Sequence, residues 1–267
     1  MSFVERYGPW AVIAGASEGT GRAFAHKVAS RGVNCILIAR RDAPLSALAE
    51  EIRAAHGVEC IGTSVDLAAA DAVDRIKAAV AARDVGLFVS NAGSDPHGSR
   101  FLDQDIDAWV DLVNRNVTTV VRCCHHFGGL MRERRRGGIL LVGSGACYGG
   151  ASFMAVYSAT KAFDLCFGEG LWAELRPHDV DVLNLILGRT DTPMFRQHLA
   201  ERGLPVPPNL ASPDDVARIG LERLPYGPVH NWGQADDAAG YVSSSAAARR
   251  DRVLAIDVMT KDVFGGR

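Results

Sequence analysis

Seven apolar runs punctuate the chain, and between them apolar residues recur every three to four positions. The runs lie at 10–14, 34–39, 58–63, 86–90, 138–144 and 180–187, with a weaker one at 228–233. They are rich in Val, Ile and Leu and are continuously apolar, which predicts strands buried on both faces. The Ala-rich periodic segments predict helices at 20–31, 43–56, 69–83, 104–134, 154–176 and 213–224. Regular alternation of the two predicts a doubly wound α/β domain with a parallel sheet and right-handed crossovers. No repeat, linker or low-complexity tract marks a second domain, so 1–267 is read as one. The rhythm breaks at 188–228, where prolines stand at 193, 205, 207, 208, 213, 225 and 228. Such a segment is too long for a simple connection and predicts a lid or substrate loop. Its Met194, Phe195, Leu199, Leu204 and Val206 either cover a ligand or pack the loop onto the domain. Beyond it, 234–267 reads as a C-terminal helical extension with Val242, Ala246, Val253, Ile256 and Met259 as buried positions. That extension is expected to close the substrate cleft or form an oligomer interface.

Composition narrows the function classes. A chain of 267 residues with 48% hydrophobic and 22% charged residues suits one large α/β domain of ordinary globular make-up. The net charge of −2 gives no reason to expect nucleic acid or an anionic membrane as partner. The cluster Arg132-Glu133-Arg134-Arg135-Arg136 reads as a helix C-terminus complementing its dipole. No run approaches the roughly 18 apolar residues of a membrane span, and the N-terminus lacks the apolar core of a secretory signal. Cysteines at 35, 60, 123, 124, 147 and 166 show no metal-site spacing, so a reducing cytoplasm is the expected setting.

The first strand runs into Gly15-Ala16-Ser17-Glu18-Gly19-Thr20-Gly21 and then a helix. Glycines at 15, 19 and 21 permit a tight turn, and the helix N-terminus attracts a pyrophosphate. The spacing is G-x-x-x-G-x-G, and its place after the first strand gives it weight. The second strand ends at Ala39-Arg40-Arg41, where an NAD-specific site usually carries an acidic residue for the ribose 2′-hydroxyl. Ala39 removes that acceptor, and a guanidinium binds phosphate bidentately, so NADP(H) is favoured and NAD(H) is the alternative. Asp66, at the end of the third strand, either meets the adenine amine or caps the next helix. Asn91-Ala92-Gly93, after the fourth strand, either passes close to the adenosine ribose or forms an ordinary turn.

The candidate chemistry lies further along. Tyr157 and Lys161 are four apart, so on a helix they share a face. An unaided phenol has a pKa of about 10, and ionising it near neutrality asks for about 4 kcal/mol of help, which a fixed ammonium can supply. Ser144 ends the fifth strand, thirteen positions before Tyr157. A strand-end hydroxyl and a phenol on the following helix can reach one substrate oxygen, the equipment for proton transfer at a carbonyl or alcohol.

Together these residues resemble the short-chain dehydrogenase/reductase family in its compact single-domain branch. The resemblance covers residues 8 to about 230, with the glycine turn, Asp66, Asn91-Ala92-Gly93, Asn116, Ser144, Tyr157 and Lys161 in family order. It implies a Rossmann-like sheet of about seven parallel strands, a nicotinamide cofactor and hydride transfer between a carbonyl and an alcohol. By the same resemblance Tyr157 would be the general acid or base, and Lys161 would bind the nicotinamide ribose and favour the tyrosinate. Ser144 would orient the substrate oxygen, and Asn116 would bend the helix at 104–134 and support a water beside Lys161. Cofactor contacts are expected from Gly15, Ser17, Glu18, Gly19, Thr20, Gly21, Arg40, Arg41, Asp66, Leu67, Asn91, Ala92, Gly93, Gly188, Thr190 and Thr192. Substrate contacts are expected from Ser144, Cys147, Tyr157 and Met194. Family members often associate through the helices at 104–134 and 154–176, so a homodimer or homotetramer is expected.

Three departures stand out. Thr20 replaces the usual isoleucine and is expected to change little. Leu187-Gly188 replaces the common Pro-Gly. Glu18 occupies a position that is basic in some NADP-specific members, and its charge opposes that of the arginines. His125 and His126 are adjacent on a helix and diverge by about 100°, so core or interface histidines are expected and no metal site. Cys147 reads as a pocket wall, because no His-Asp partners accompany it. His97, Tyr148, Arg189 and Trp232 are further pocket candidates. The expected activity is an NADP(H)-dependent reductase or dehydrogenase for a medium or bulky apolar ketone. Alternatives are an NAD-dependent catabolic alcohol dehydrogenase, a sugar-nucleotide epimerase or dehydratase with a similar Tyr/Lys pair, and a non-catalytic dinucleotide sensor.

Overall fold

The computed structural model describes residues 1–232. The expected helical extension at 234–267 lies outside the described residues. Seven parallel strands form one sheet in the order β3-β2-β1-β4-β5-β6-β7. They are β1 Trp10–Ala14, β2 Asn34–Ala39, β3 Cys60–Ser64, β4 Val85–Ser90, β5 Gly137–Ser144, β6 Val180–Leu187 and β7 Val229–Trp232. The chain winds outward from β1 to β3, then returns past β1 and winds the other way. The reversal between β1 and β4 opens a crevice at their carboxyl ends, where such sheets bind ligands.

Side-chain alternation along the strands builds a core on each face. Ala11 and Ile13 of β1 and Cys35 and Leu37 of β2 face one side. They pack with Phe24 of α2 (Gly19–Ala29), Leu45, Leu48 and Ile52 of α3 (Asp42–His56), and Leu221 of α9 (Pro213–Arg223). Trp10, Val12, Ala14, Ile36 and Ile38 face the other side. There they meet Ile76 of α4 (Ala72–Val80) and Phe127 and Met131 of α6 (Thr119–Glu133). Both faces of β1 and β2 are therefore dry, which is why their sequences are apolar without alternation.

Several boundaries differ from expectation. The third strand begins at Cys60, two residues later than the apolar run. The expected helix at 69–83 shrinks to α4, because turns follow Asp66 and Ala69 and because Ala81, at φ +50°, cannot continue it. The single helix expected at 104–134 is α5 (Ile106–Val113), a π-helical turn (Asn114–Thr118) and α6. A short helix α1 (Phe3–Tyr7), closed at its start by a Ser2–Glu5 capping box, was not anticipated. Tyr7 is buried, and its hydroxyl donates to Asp181 at 2.6 Å, which anchors α1 to β6. The arginines after α6 bind carboxylates of neighbouring loops: Arg134 and Arg136 pair with Asp84, and Arg135 with Asp179.

The Pro-rich segment carries structure of its own. Pro193–Glu201 forms α8, started by Thr192, whose hydroxyl accepts from Phe195 N at 3.2 Å. Leu199 is buried, whereas Met194 and Phe195 are part-exposed and Val206 is exposed.

Candidate active site

The glycine turn closes against the fourth strand. Gly15 takes φ +82°, and a side chain there would begin 2.7 Å from the backbone nitrogen of Ala92. Only glycine fits both the conformation and the approach. Thr20 donates to Asn91 Oδ1 at 2.7 Å, and Asn91 Nδ2 donates to Gly15 O at 3.0 Å. An isoleucine at position 20 could not make this bond, and the hydroxyl ties the turn to the Asn91-Ala92-Gly93 bend. Glu18 caps α2 with its backbone alone, so no side chain takes up the first-turn N–H groups of that helix. Ser17 is part-exposed beside it.

The second strand delivers Arg40 and Arg41 to the same end. Arg41 forms an ion pair with Glu18 at 2.5 Å, so the acidic departure is neutralised inside the site. The Arg40 guanidinium is exposed and has no ion pair among the described residues. Asp66 is also exposed and accepts from Ala68 N at 3.0 Å through one carboxylate oxygen. Leu67 is buried, and its carbonyl accepts from Thr119 Oγ1 at 2.7 Å.

The chain after β6 returns to this turn. The methyl of Thr192 lies 3.2 Å from where a side chain at Gly19 would begin. Gly188 N donates to Trp232 O at 2.9 Å, and Thr190 Oγ1 donates to Gly188 O at 3.3 Å. The start of the Pro-rich segment thus sits directly over the glycine turn.

The four candidate catalytic residues come from three neighbouring elements. The π-helical turn carries Asn116 into the interior, only 1% exposed. Its Nδ2 donates to Gly93 O at 3.2 Å and to Thr160 Oγ1 at 3.0 Å, linking the bend after β4 to α7 (Ala155–Leu175). Its Oδ1 is buried and takes no hydrogen bond among the described residues. Ser144 ends β5, and its hydroxyl accepts from Ala146 N at 3.3 Å. Tyr157 is part-exposed on α7, and Lys161 follows one turn later, 4% exposed. Lys161 Nζ donates to Val142 O at 3.0 Å and to Asp164 Oδ2 at 3.2 Å. Gly93, at φ +154°, leaves the space Nζ needs, since a side chain there would begin 2.7 Å from it.

Burial works against the Lys161 charge, yet Asp164, Tyr157 and Cys147 outweigh it and hold the ammonium above its ordinary pKa. Cys147 is buried in the turn after β5. Tyr148, in the same turn, donates to Asn231 of β7. His97 contacts Gln104 at 3.2 Å and the edge of Trp109, and the Arg100 guanidinium lies 5.3 Å from the Phe153 ring centre. Asp164, Thr160 and the Thr20–Asn91 bond were not read from sequence. Asp164 did leave a signal, because 157, 161 and 164 are i, i+4 and i+7, one stripe of a helix.

These features test whether a dinucleotide fits. A glycine turn closed tightly on Ala92, free N–H groups at a helix start and an unpaired guanidinium at the second strand end suit its pyrophosphate and adenosine ribose. Farther along, a buried ammonium behind a phenol, near a strand-end hydroxyl, suits proton exchange with a carbonyl oxygen.

Comparison with known proteins gives a consistent picture. The family model for short chain dehydrogenases matches residues 9–203. A 7beta-hydroxysteroid dehydrogenase of Collinsella aerofaciens is 31% identical over 226 residues, 84% of this chain and 86% of the relative. A solved structure from work on 7beta-hydroxysteroid dehydrogenase stereoselectivity superposes with a TM-score of 0.83 at 29% identity, covering 90% of this chain and 93% of the other. A short-chain dehydrogenase from Sphingobium yanoikuyae in complex with NADPH gives 0.76 at 26% identity over 93% of both chains.

Proposed function

The chain belongs to the short-chain dehydrogenase family and is an oxidoreductase of alcohol and carbonyl groups; within that class we propose that it is NADP(H)-dependent and acts on a bulky apolar ketone or its alcohol. The observation that carries the reading is the buried Lys161 ammonium, held behind Tyr157 on one face of α7. Gly15, Gly19, Gly21 and the start of α2 would hold the pyrophosphate. Arg40 would meet a 2′-phosphate, and Asp66 the adenine amine. Gly93, Lys161, Gly188 and Thr192 would line the nicotinamide half. The cofactor, when bound, supplies or accepts the hydride.

The protein's own part is proton handling and orientation. Ser144 donates a hydrogen bond that fixes the substrate oxygen. In reduction Tyr157 gives its phenolic proton to that oxygen as the carbonyl carbon gains hydride. In oxidation the tyrosinate takes the alcohol proton back. Lys161 stabilises the tyrosinate by its charge, and Asn116 braces α7 through Thr160 while offering Oδ1 to a water. Within the segment at 188–228, α9 packs into the core and is no lid; the stretch ahead of it is proposed to cover the substrate, with Met194 and Phe195 toward the ligand, and Cys147 as a wall of the pocket. The hydroxysteroid dehydrogenase relatives support a fused-ring substrate of steroid size.

Parallel fluorescence titrations with NADPH and NADH test the cofactor reading. NADPH is expected to bind at least tenfold tighter, about 1.4 kcal/mol. Tighter NADH would overturn it and favour an NAD-dependent alcohol dehydrogenase. A panel of steroid, aryl and small charged ketones tests the substrate class. Turnover confined to the small charged members would reject a bulky apolar substrate.

A further inference from the structure

Lys161 does not stand alone behind Tyr157. One turn further along α7, Asp164 is 4% exposed, and its Oδ2 lies 3.2 Å from Lys161 Nζ. A carboxylate is costly to bury, and this one has a second oxygen, Oδ1, that is buried with no hydrogen-bond partner among the described residues. It packs directly against the Lys161 ammonium.

An ammonium has three N–H bonds. In Lys161 two are spent on Val142 O and Asp164, which leaves one for the cleft between Gly93 and Asn116. The groups that act on Lys161 are Asp164 and Tyr157 on its own helix and Cys147 in the turn after β5. Cys124 of α6 lies within electrostatic reach of Asp164 and is itself held protonated by burial. Asp164 is therefore the one carboxylate acting on the ammonium among the described residues. Without it, burial would oppose the charge with only Tyr157 and Cys147 in support.

We infer that Asp164 is a positioning residue of the reaction: its carboxylate keeps Lys161 protonated in a dry site and pins it against β5, with one N–H left for the cofactor ribose and the tyrosine. The inference rests on the reading of Lys161 as a cofactor-binding residue. It makes the working cation of this site a buried ion pair in place of a lone lysine.

The test is the pH dependence of NADPH affinity between pH 6 and 10 in the full chain and in Asp164→Asn. Asparagine keeps the size of the side chain and an oxygen that accepts from Lys161, and removes only the charge. A structural role for Asp164 would survive that change. If Asp164 keeps the lysine charged, the variant matches the parent near pH 6. It then loses at least tenfold in NADPH affinity by pH 9, where the parent has lost less than twofold. Asp164→Ser, a smaller neutral side chain whose hydroxyl can still accept from Lys161, gives the same alkaline loss and serves if the asparagine variant folds poorly. Parallel pH profiles for parent and variants, even with uniformly lower values, would overturn the role of Asp164 alone. Absence of NADPH and NADH binding in the parent would instead overturn the cofactor reading beneath it.

Discussion

At the scale of single residues, small polar groups decide how the site holds its shape. The Thr20 hydroxyl fixes Asn91, which in turn holds the carbonyl of Gly15. Thr20→Val keeps the volume and deletes the bond, so urea unfolding should show a loss of about 1 kcal/mol. NADPH affinity should fall with it, because the turn is freed from the bend at Gly93. An unchanged midpoint would assign Thr20 to packing alone. The cysteines make a second expectation. Burial pushes Cys60 and Cys123 up to about 12 and raises Cys35 and Cys124 well above a free thiol. Cys166 is exposed. Since the thiolate is the reactive form, a disulfide reagent at pH 8 should consume one thiol quickly and the rest only on unfolding. Rapid reaction of three or more would show a looser core. The Tyr157–Lys161 pair is legible in sequence because the two share a helix face. Asp164, one turn further on, is not, because its meaning depends on burial and spacing alone does not reveal burial.

Whole elements were legible where their periodicity was unbroken. Strands β1, β2 and β6 begin and end where the apolar runs do, because both faces of each are covered. Apolar positions keep recurring across 104–134, so the sequence predicts one continuous helix there. A π-helical turn adds a residue to one turn, and a shift of about 100° is lost among thirty residues. That turn delivers Asn116 to Gly93 and Thr160. Asn116→Ala removes both bonds and leaves buried partners unsatisfied, so a cost of about 1–3 kcal/mol is expected in denaturant. The kcat should drop more than NADPH affinity does, because α7 loses its brace while the glycine turn is untouched. Equal losses in both would place Asn116 with cofactor binding. In the segment at 188–228 the many prolines concealed α8, although Thr192-Pro193 is a good helix start.

At the scale of the molecule, the order of strands turns separate motifs into one site. Residues from 15 to 192 meet because β1 and β4 are neighbours, with β5 and β6 beside them, and every carboxyl end points the same way. The alternation of runs and periodic segments was enough to predict the sheet, and the motifs mark one end of it as the candidate site. The substrate lay beyond that reading, since pocket shape depends on loops whose side chains follow no period. The steroid-sized substrate proposed above is one that a panel can test. The central claim is that Tyr157, supported by Lys161, transfers the proton in a carbonyl reduction. Its most direct test compares Tyr157→Phe with the parent protein, measuring NADPH affinity and single-turnover reduction of a steroid ketone on the same sample. NADPH affinity should stay within about twofold and the rate should fall at least about a hundredfold, the range general acid catalysis supplies. A phenylalanine variant that keeps the parent's rate would contradict it.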